Sequence, residues 1–311
     1  MTSRRRRTPP WPLVATVVVG LVGLAVVLAY LQGPGAVDHT ASPGAVRSAV
    51  EGRPASPPPG RPLVRLAAVG DTGTGDAAEL ATVDEMRDES RDRPYDGLVL
   101  LGDLVYEVGD ADLVHEVVLD AFAPITDMGT RLLPALGNHD YESGEQGEIL
   151  TMLGRERSWY STRIGPVRII VLDSNRWQDE EQTRWLRRTL DQEQPRNGWT
   201  VVAMHHPAYS AGYHGSDLGL RERWSPLFAR AGVELVLAGH DHDYQRSEPQ
   251  DGVTYVVSGG GAKLRPTGHA DFTAVSDSRL HFLDLLFYAD RVVGRAIDQD
   301  GRLVDAFTIR H

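Results

Sequence analysis

Two hydrophobic rhythms alternate along most of this chain. Beyond residue 62, short continuous apolar runs give way repeatedly to segments in which apolar residues recur every three or four positions. The first pattern predicts buried strands and the second predicts helices with one face on a core. Strands are expected at 66–69, 98–101, 131–136, 159–163, 167–172, 199–204 and 233–238, with helices at 76–90, 111–122, 180–190 and 224–230. Asp76 stands at the N-cap of the first helix, and Leu80, Val83 and Met86 follow at helical spacing. Gly165-Pro166 turns 159–163 into 167–172 as a hairpin. The end of the chain changes character, with strands at 253–258, 280–288, 291–297 and 303–309 and no strong helix between them, a meander closing the fold. These patterns predict an α/β domain over 63–311, a two-sheet β-sandwich flanked by helices.

The N-terminus follows neither rhythm. Residues 13–31 form an uncharged, nearly continuous apolar run, long enough to cross a bilayer as a helix. Arg4 to Arg7 precede it and no basic residue follows directly. That asymmetry predicts a single-pass protein of the cell membrane, with residues 1–12 a cytoplasmic tail and everything after the transmembrane or signal-anchor helix extracytoplasmic. The alternative is secretion after signal cleavage. The run is longer than a usual signal core, however, and no clear Ala-x-Ala site closes it; 33–36 offers only a weaker one. Residues 32–62 are rich in Pro, Gly and Ala and read as an extended, mobile linker, with ordered structure expected from Leu63.

Charge and composition narrow the function classes. The 311 residues hold 32 Lys+Arg against 43 Asp+Glu, a net charge of −11. Seven of the basic and two of the acidic residues lie in the first 62, so the remainder carries 25 against 41. So acidic a domain argues against a nucleic-acid partner. The absence of cysteine excludes disulfides, thiolate zinc sites, iron–sulfur clusters and cysteine nucleophiles.

Five of the apolar runs stop at polar, chemistry-bearing segments: Gly70-Asp71-Thr72-Gly73, Gly102-Asp103-Leu104-Val105-Tyr106, Gly137-Asn138-His139-Asp140, Met204-His205-His206-Pro207 and Gly239-His240-Asp241-His242. One Gly-Asp after a strand is ordinarily a turn. Five such strand ends gather where open α/β sheets bind ligands. Asp71, Asp103, Tyr106 and Asn138 offer oxygens, while His205, His240 and His242 offer imidazole nitrogens. That mixture suits iron, zinc or manganese and is too rich in nitrogen for calcium. A carboxylate between two cations can bridge them, and Asp103 in the central segment is the natural bridge. His206, if the strand continues, points away from His205. His115, His269 and His281 have no motif around them. Gly259-Gly260-Gly261 lacks the Lys-Ser/Thr and helix of a P-loop and fits a close backbone approach instead.

In this order the five segments resemble the calcineurin-like metallophosphoesterase superfamily, and within it the purple acid phosphatases of the small, tartrate-resistant type. The superfamily at large has Asp-x-His in its first segment. Here Asp71-Thr72-Gly73 lacks that histidine, and Tyr106 stands where the purple acid phosphatases place a compensating tyrosine. The resemblance covers about 63–311 and implies the helix–sheet–sheet–helix layering of that fold. It implies a ferric ion held by Asp71, Asp103, Tyr106 and His242, and a divalent iron, zinc or manganese ion held by Asp103, Asn138, His205 and His240. It further implies phosphate binding by His139 with Asp140 orienting its ring, and a proton for the leaving group from His214, which matches the family pattern loosely. The serine/threonine protein phosphatases of the superfamily fit less well, since Val105-Tyr106 and Tyr141 stand where they carry Asp-Arg and arginine.

The expected function is hydrolysis of small phosphate monoesters through attack by metal-held hydroxide. Two alternatives stay open: a phosphodiesterase with the same two metals, and a non-catalytic phosphate- or metal-binding surface module.

Overall fold

A computed structural model describes residues 37–38, 41–56, 58–195 and 197–311. The expected cytoplasmic tail, 1–12, and membrane helix, 13–31, lie outside the described residues. Among the described residues no helix is long and apolar enough to cross a membrane.

Sixteen strands and helices carry the domain. They are β1 (Val64–Val69), α1 (Ala77–Ser90), β2 (Gly97–Leu101), β3 (Arg131–Ala135), β4 (Tyr160–Ile164), β5 (Val167–Val171), α2 (Glu180–Leu190), β6 (Trp199–Ala203), α3 (Leu218–Arg230), β7 (Leu235–Ala238), β8 (Tyr244–Ser247), β9 (Thr254–Ser258), β10 (Thr273–Asp277), β11 (His281–Phe287), β12 (Arg291–Asp298) and β13 (Leu303–Arg310). One sheet runs β13-β12-β11-β1-β2-β3 and the other β10-β8-β9-β7-β6-β5-β4. In the first, β1, β2 and β3 are parallel. In the second, β5, β6, β7 and β9 are parallel.

Alternation along the central strands builds the layers. Leu66, Ala68, Val99 and Leu101 face Ile169, Val171, Val201 and Leu237 between the sheets. Their neighbours Ala67, Val69, Leu98 and Leu100 face Val83 and Met86 of α1 on the outer side. On the opposite face Ile170, Val202 and Val236 pack on Leu186, Trp224 and Phe228. Strands buried on both faces read as unbroken apolar runs, which is why they stand out in the sequence. Each large apolar side chain in these layers contributes roughly 1.5–3 kcal/mol through burial.

Asp76 caps α1 by accepting from Ala78 and Glu79 N–H. Leu80 turns outward, 48% exposed, and Glu79 and Thr82 are buried in its stead. Helix α3 starts earlier than its apolar residues indicate, because Asp217 caps it by accepting from Leu220 N–H. The closing meander is three-stranded, β11 to β13. The stretch expected as its first strand, β9, instead lies in the other sheet, parallel to β7.

The linker departs most from expectation. Ordered structure begins before Leu63. Val37–Asp38 pairs antiparallel with Ser216–Asp217, and Ser42–Pro43 with Gly268–His269. Val46 bridges to Ser276 and Pro54 to Arg302. Val50 and Ala55 pack against the outer core. Proline and glycine make this segment a poor helix or central strand, yet they allow an extended strap with a few backbone partners.

Candidate metal centre

Both sets of parallel strands end at the same edge of the sandwich. Asp71, Asp103 and Asn138 follow β1, β2 and β3 of one sheet, while His205 and His240 follow β6 and β7 of the other. Short bonds lock the two edges together: Gly70 N–H donates to Ser258 O at 2.9 Å and Gly261 N–H to Gly70 O at 3.1 Å. Three of the five residues hold left-handed backbone, with φ of 59° at Asp71, 52° at Asp103 and 73° at His240. Such conformations are costly for residues other than glycine and concentrate at functional sites. The glycines here admit close approach. A Cβ on Gly137 would overlap Asp103 Oδ1, and one on Gly259 would press on Asp71 Oδ2.

The donor atoms fall into two groups that share one residue. In the first, Tyr106 Oη lies 3.2 Å from Asp71 Oδ1, 2.9 Å from Asp103 Oδ2 and 3.2 Å from His242 Nε2. In the second, His205 Nε2 lies 3.1 Å from Asn138 Oδ1, 3.2 Å from His240 Nδ1 and 3.3 Å from Asp103 Oδ1. Asp103 thus presents one oxygen to each group. Metal–donor bonds of about 2.1 Å put neighbouring donors about 3.0 Å apart in an octahedron and about 3.4 Å apart in a tetrahedron. The spacings match both, so the residues present fit two metal ions. His205 Nδ1 lies 2.8 Å from the Leu101 carbonyl, which can only accept. The proton therefore sits on Nδ1 and the Nε2 lone pair is free for a metal.

Electrostatics points the same way. Burial, and then the charge of Asp103, push Asp71 well above the usual carboxylate range. Burial, and then Asp71 and Asp103, raise Tyr106. Burial resists charge on Asp103 too, but His205 and His139 outweigh it and hold Asp103 below its ordinary value. Burial depresses His240, and brings His242 down to about 4. Burial thus favours neutral His240 and His242, the form that binds metal, and a bound cation would favour the ionised forms of Asp71 and Tyr106.

The outer residues divide. His139 packs against the Tyr106 ring at 4.7 Å, and its Nδ1 lies 2.5 Å from the Glu107 carbonyl. Its Nε2 lies 4.0 Å from Asp103 Oδ2, on the site side. His214 lies with its ring 4.3 Å from that of His240. Asp140 does not orient the His139 ring. Its carboxylate accepts N–H bonds from Leu104 at 2.8 Å, Val105 at 3.0 Å and Gly137 at 2.7 Å. The 3₁₀ turn His139–Tyr141 sends the two side chains apart, so Asp140 instead ties the second segment to the third. His206 also departs from expectation. Strand β6 stops at Ala203, alternation ends there, and the His206 ring lies 4.4 Å from that of His240. With His205 and His240 it forms a second group of closely spaced donors. Its Nδ1 is 2.9 Å from Ser174 Oγ.

Three groups carried no signal in the sequence. Asp241 accepts from Ser210 Oγ–H, His214 N–H and Gly215 N–H, anchoring the loop that bears His214. Lys263 and Arg265, in the loop after the three glycines, reach the rim. Lys263 Nζ lies 3.6 Å from the centre of the Tyr106 ring, and Arg265 stacks over Tyr213.

A family model for calcineurin-like phosphoesterases matches residues 64–244. An uncharacterized protein of Mycobacterium tuberculosis is 35% identical over 153 residues, 39% of this chain and 28% of that protein. Human tartrate-resistant acid phosphatase type 5 is 27% identical over 247 residues, 66% of this chain and 75% of that protein. The chain therefore spans only about a quarter of the mycobacterial relative. Among solved structures, a purple acid phosphatase from yellow lupin seeds superimposes with a TM-score of 0.70 at 23% identity, over 82% of this chain and 55% of that one.

Proposed function

The chain belongs to the calcineurin-like phosphoesterase family, and on that premise we propose that it is a dinuclear-metal phosphatase acting on small phosphate monoesters. The observation that carries the reading is the division of Asp103, one oxygen in each donor group. We assign Asp71, Asp103, Tyr106 and His242 to a ferric ion. Asp103, Asn138, His205 and His240 are assigned to a divalent iron, zinc or manganese ion. The relatives named as acid phosphatases support this choice over other members of the family. An anchor at residues 13–31 would place the domain on the extracytoplasmic side of the cell membrane.

A metal pair in this position makes water a nucleophile near neutral pH and neutralises phosphoryl oxygens. The protein's own groups do the rest. The bond broken joins phosphorus to the leaving oxygen; the oxygen of water ends on phosphate and a proton on the alcohol. His139, fixed through Nδ1 on the Glu107 carbonyl, turns Nε2 toward the place of a phosphoryl oxygen. His214, held at the rim by the bonds that Asp241 receives, stands where a leaving oxygen needs a proton. Asp140 holds the second and third segments in register and touches no substrate.

The test compares an aryl phosphate monoester with the matching diester on the full chain in detergent, loaded with iron and zinc, from acidic to neutral pH. Preference for the monoester is expected. Preference for the diester would make the protein a phosphodiesterase with the same metals, and two bound metals without turnover would leave a binding module.

A further inference from the structure

The loop that leaves the glycine run bears two cations, and they differ in their partners. Lys263, the single lysine of the chain, is neutralised by Glu107, 2.7 Å away. Arg265 is not neutralised. Its guanidinium stacks over Tyr213 at 4.5 Å, its Nε is buried without a hydrogen-bond partner, and among the described residues no carboxylate pairs with it. Arg65 and Arg295 pair with Asp284, Arg246 with Asp305 and Arg279 with Glu51, while buried Arg168, which also lacks an acid, donates to the carbonyls of Thr189 and Gln192 and to Thr200 Oγ1. What sets Arg265 apart from Arg168 is its place, in the loop that joins the rim of the donor groups.

Its position is fixed. Arg265 N–H donates to the carbonyl of His242 at 2.9 Å, and its own carbonyl accepts from Ser278 Oγ–H at 2.7 Å. Outward from the centre, the rings of His240 and His214 lie 4.3 Å apart, those of His214 and Tyr213 5.0 Å apart, and Arg265 caps Tyr213. Tyr213 is 61% exposed, so the row ends at solvent. After burial, which dominates, the charge of Arg265 also helps lower His242, and it acts on His214 in the same sense. The guanidinium thus stands beyond His214, which on the phosphatase reading is the side of the leaving alcohol. Guanidinium is suited to two-point recognition of carboxylate or phosphate, and a half-buried one gains most when its acid arrives with the ligand.

Resting on the phosphatase reading, we propose that Arg265 is a specificity residue that binds a second anionic group on the leaving side of the substrate. Preferred substrates are then phosphate monoesters whose alcohol part itself carries a carboxylate or phosphate. Lys263, already satisfied by Glu107, takes no part in this preference.

The test uses the metal-loaded full chain with glycerol 3-phosphate and 3-phosphoglycerate, which differ in one carboxylate. The native protein should turn over phosphoglycerate with kcat/KM at least about tenfold higher, the scale of one charge-assisted pair. Arg265→Gln should erase that ratio by raising KM for phosphoglycerate, with glycerol phosphate changed less than about twofold. Equal native preference, or a variant that slows both substrates alike, overturns the proposal. Absence of turnover of both substrates would strike the hydrolase reading instead. The subsite is then judged by equilibrium dialysis: Arg265→Gln must weaken phosphoglycerate at least about tenfold while inorganic phosphate is unaffected. Equal weakening of both ligands would reject it. A thermal midpoint matching the native protein shows that the variant is folded.

Discussion

Asp103 and Tyr106, three residues apart in one loop, meet through Oδ2 and Oη at 2.9 Å, while the other oxygen of Asp103 faces His205. A single carboxylate therefore closes both donor groups. Asp103→Asn keeps the size of the side chain and removes its charge. Both ions should be lost on gel filtration, as read by elemental analysis. Turnover should fall by more than about 100-fold, beyond what loss of an outer-sphere partner causes. Retention of both metals with full turnover would reject the shared role.

Tyr106 gives an independent handle. A phenolate on ferric iron absorbs visible light, so the oxidised, iron-loaded protein should be coloured. Tyr106→Phe removes the only tyrosine oxygen in the cluster and should bleach the band while most of the bound iron remains. Colour that survived would place the tyrosine outside the iron's ligands.

Asp140 is predicted to act through the backbone. In Asp140→Asn one oxygen can still serve Leu104 and Val105, but the amide then faces Gly137 N–H, and two donors meet in a buried place. Denaturant titration should show a loss of about 1–3 kcal/mol. Metal affinity should weaken about 10–100-fold. If Asp140 worked through the His139 ring instead, KM for substrate would rise with stability unchanged.

His281 sets an acid limit away from the metals. It is fully buried, with Nδ1 2.7 Å from the Arg279 carbonyl and Nε2 3.0 Å from Ser258 Oγ. Burial takes it down to about 4, against weaker opposition from the Arg279 carbonyl and the charge of Asp298. The folded protein thus keeps it neutral while the unfolded chain protonates it near its ordinary value. Its contribution is complete above about 6.5 and is lost as pH falls toward 4, at most on the order of 3 kcal/mol. Unfolding free energies measured across that window should rise with pH, and His281→Gln should flatten the slope by up to one proton. An unchanged slope would assign the acid sensitivity elsewhere.

The strap predicts a cost for trimming the chain. A protein beginning at Leu63 loses the backbone pairs to Gly268–His269, Ser276 and Arg302, and the packing of Val50 and Ala55. A loss of about 2–4 kcal/mol is expected from several hydrogen bonds and two small apolar groups. Limited proteolysis should then cut near 209–217 and 262–270, the loops bearing His214 and Arg265. A trimmed domain as stable and as protease-resistant as the full chain would show the strap to be passive.

What could be read in the sequence was whatever repeats a rule. Strands buried on both faces are continuous apolar runs, and the polar residues closing β1, β2, β3, β6 and β7 are the ones that converge. What could not be read depends on direction rather than identity. Asp140 follows His139 in the chain, yet a tight turn aims them at different partners. His206 breaks the alternation because its strand has already ended. Leu80 has the spacing of a core residue but turns to solvent, and Glu79 and Thr82 take the buried places. Arg265 sits in a loop without periodicity, where only the surroundings show that its charge is unmatched. The strap was read as a linker because composition reports the absence of a core, and a few distant backbone partners leave no trace in composition.

That strap has a consequence in time. Val46 finds Ser276 230 positions further along the chain, and Pro54 finds Arg302. Residues made early must wait for partners made near the end. They can settle only after the meander β11–β13 exists, so a chain emerging N-terminus first carries its strap undocked through nearly the whole of its synthesis. The loops it braces are then among the last parts of the molecule to acquire their final shape.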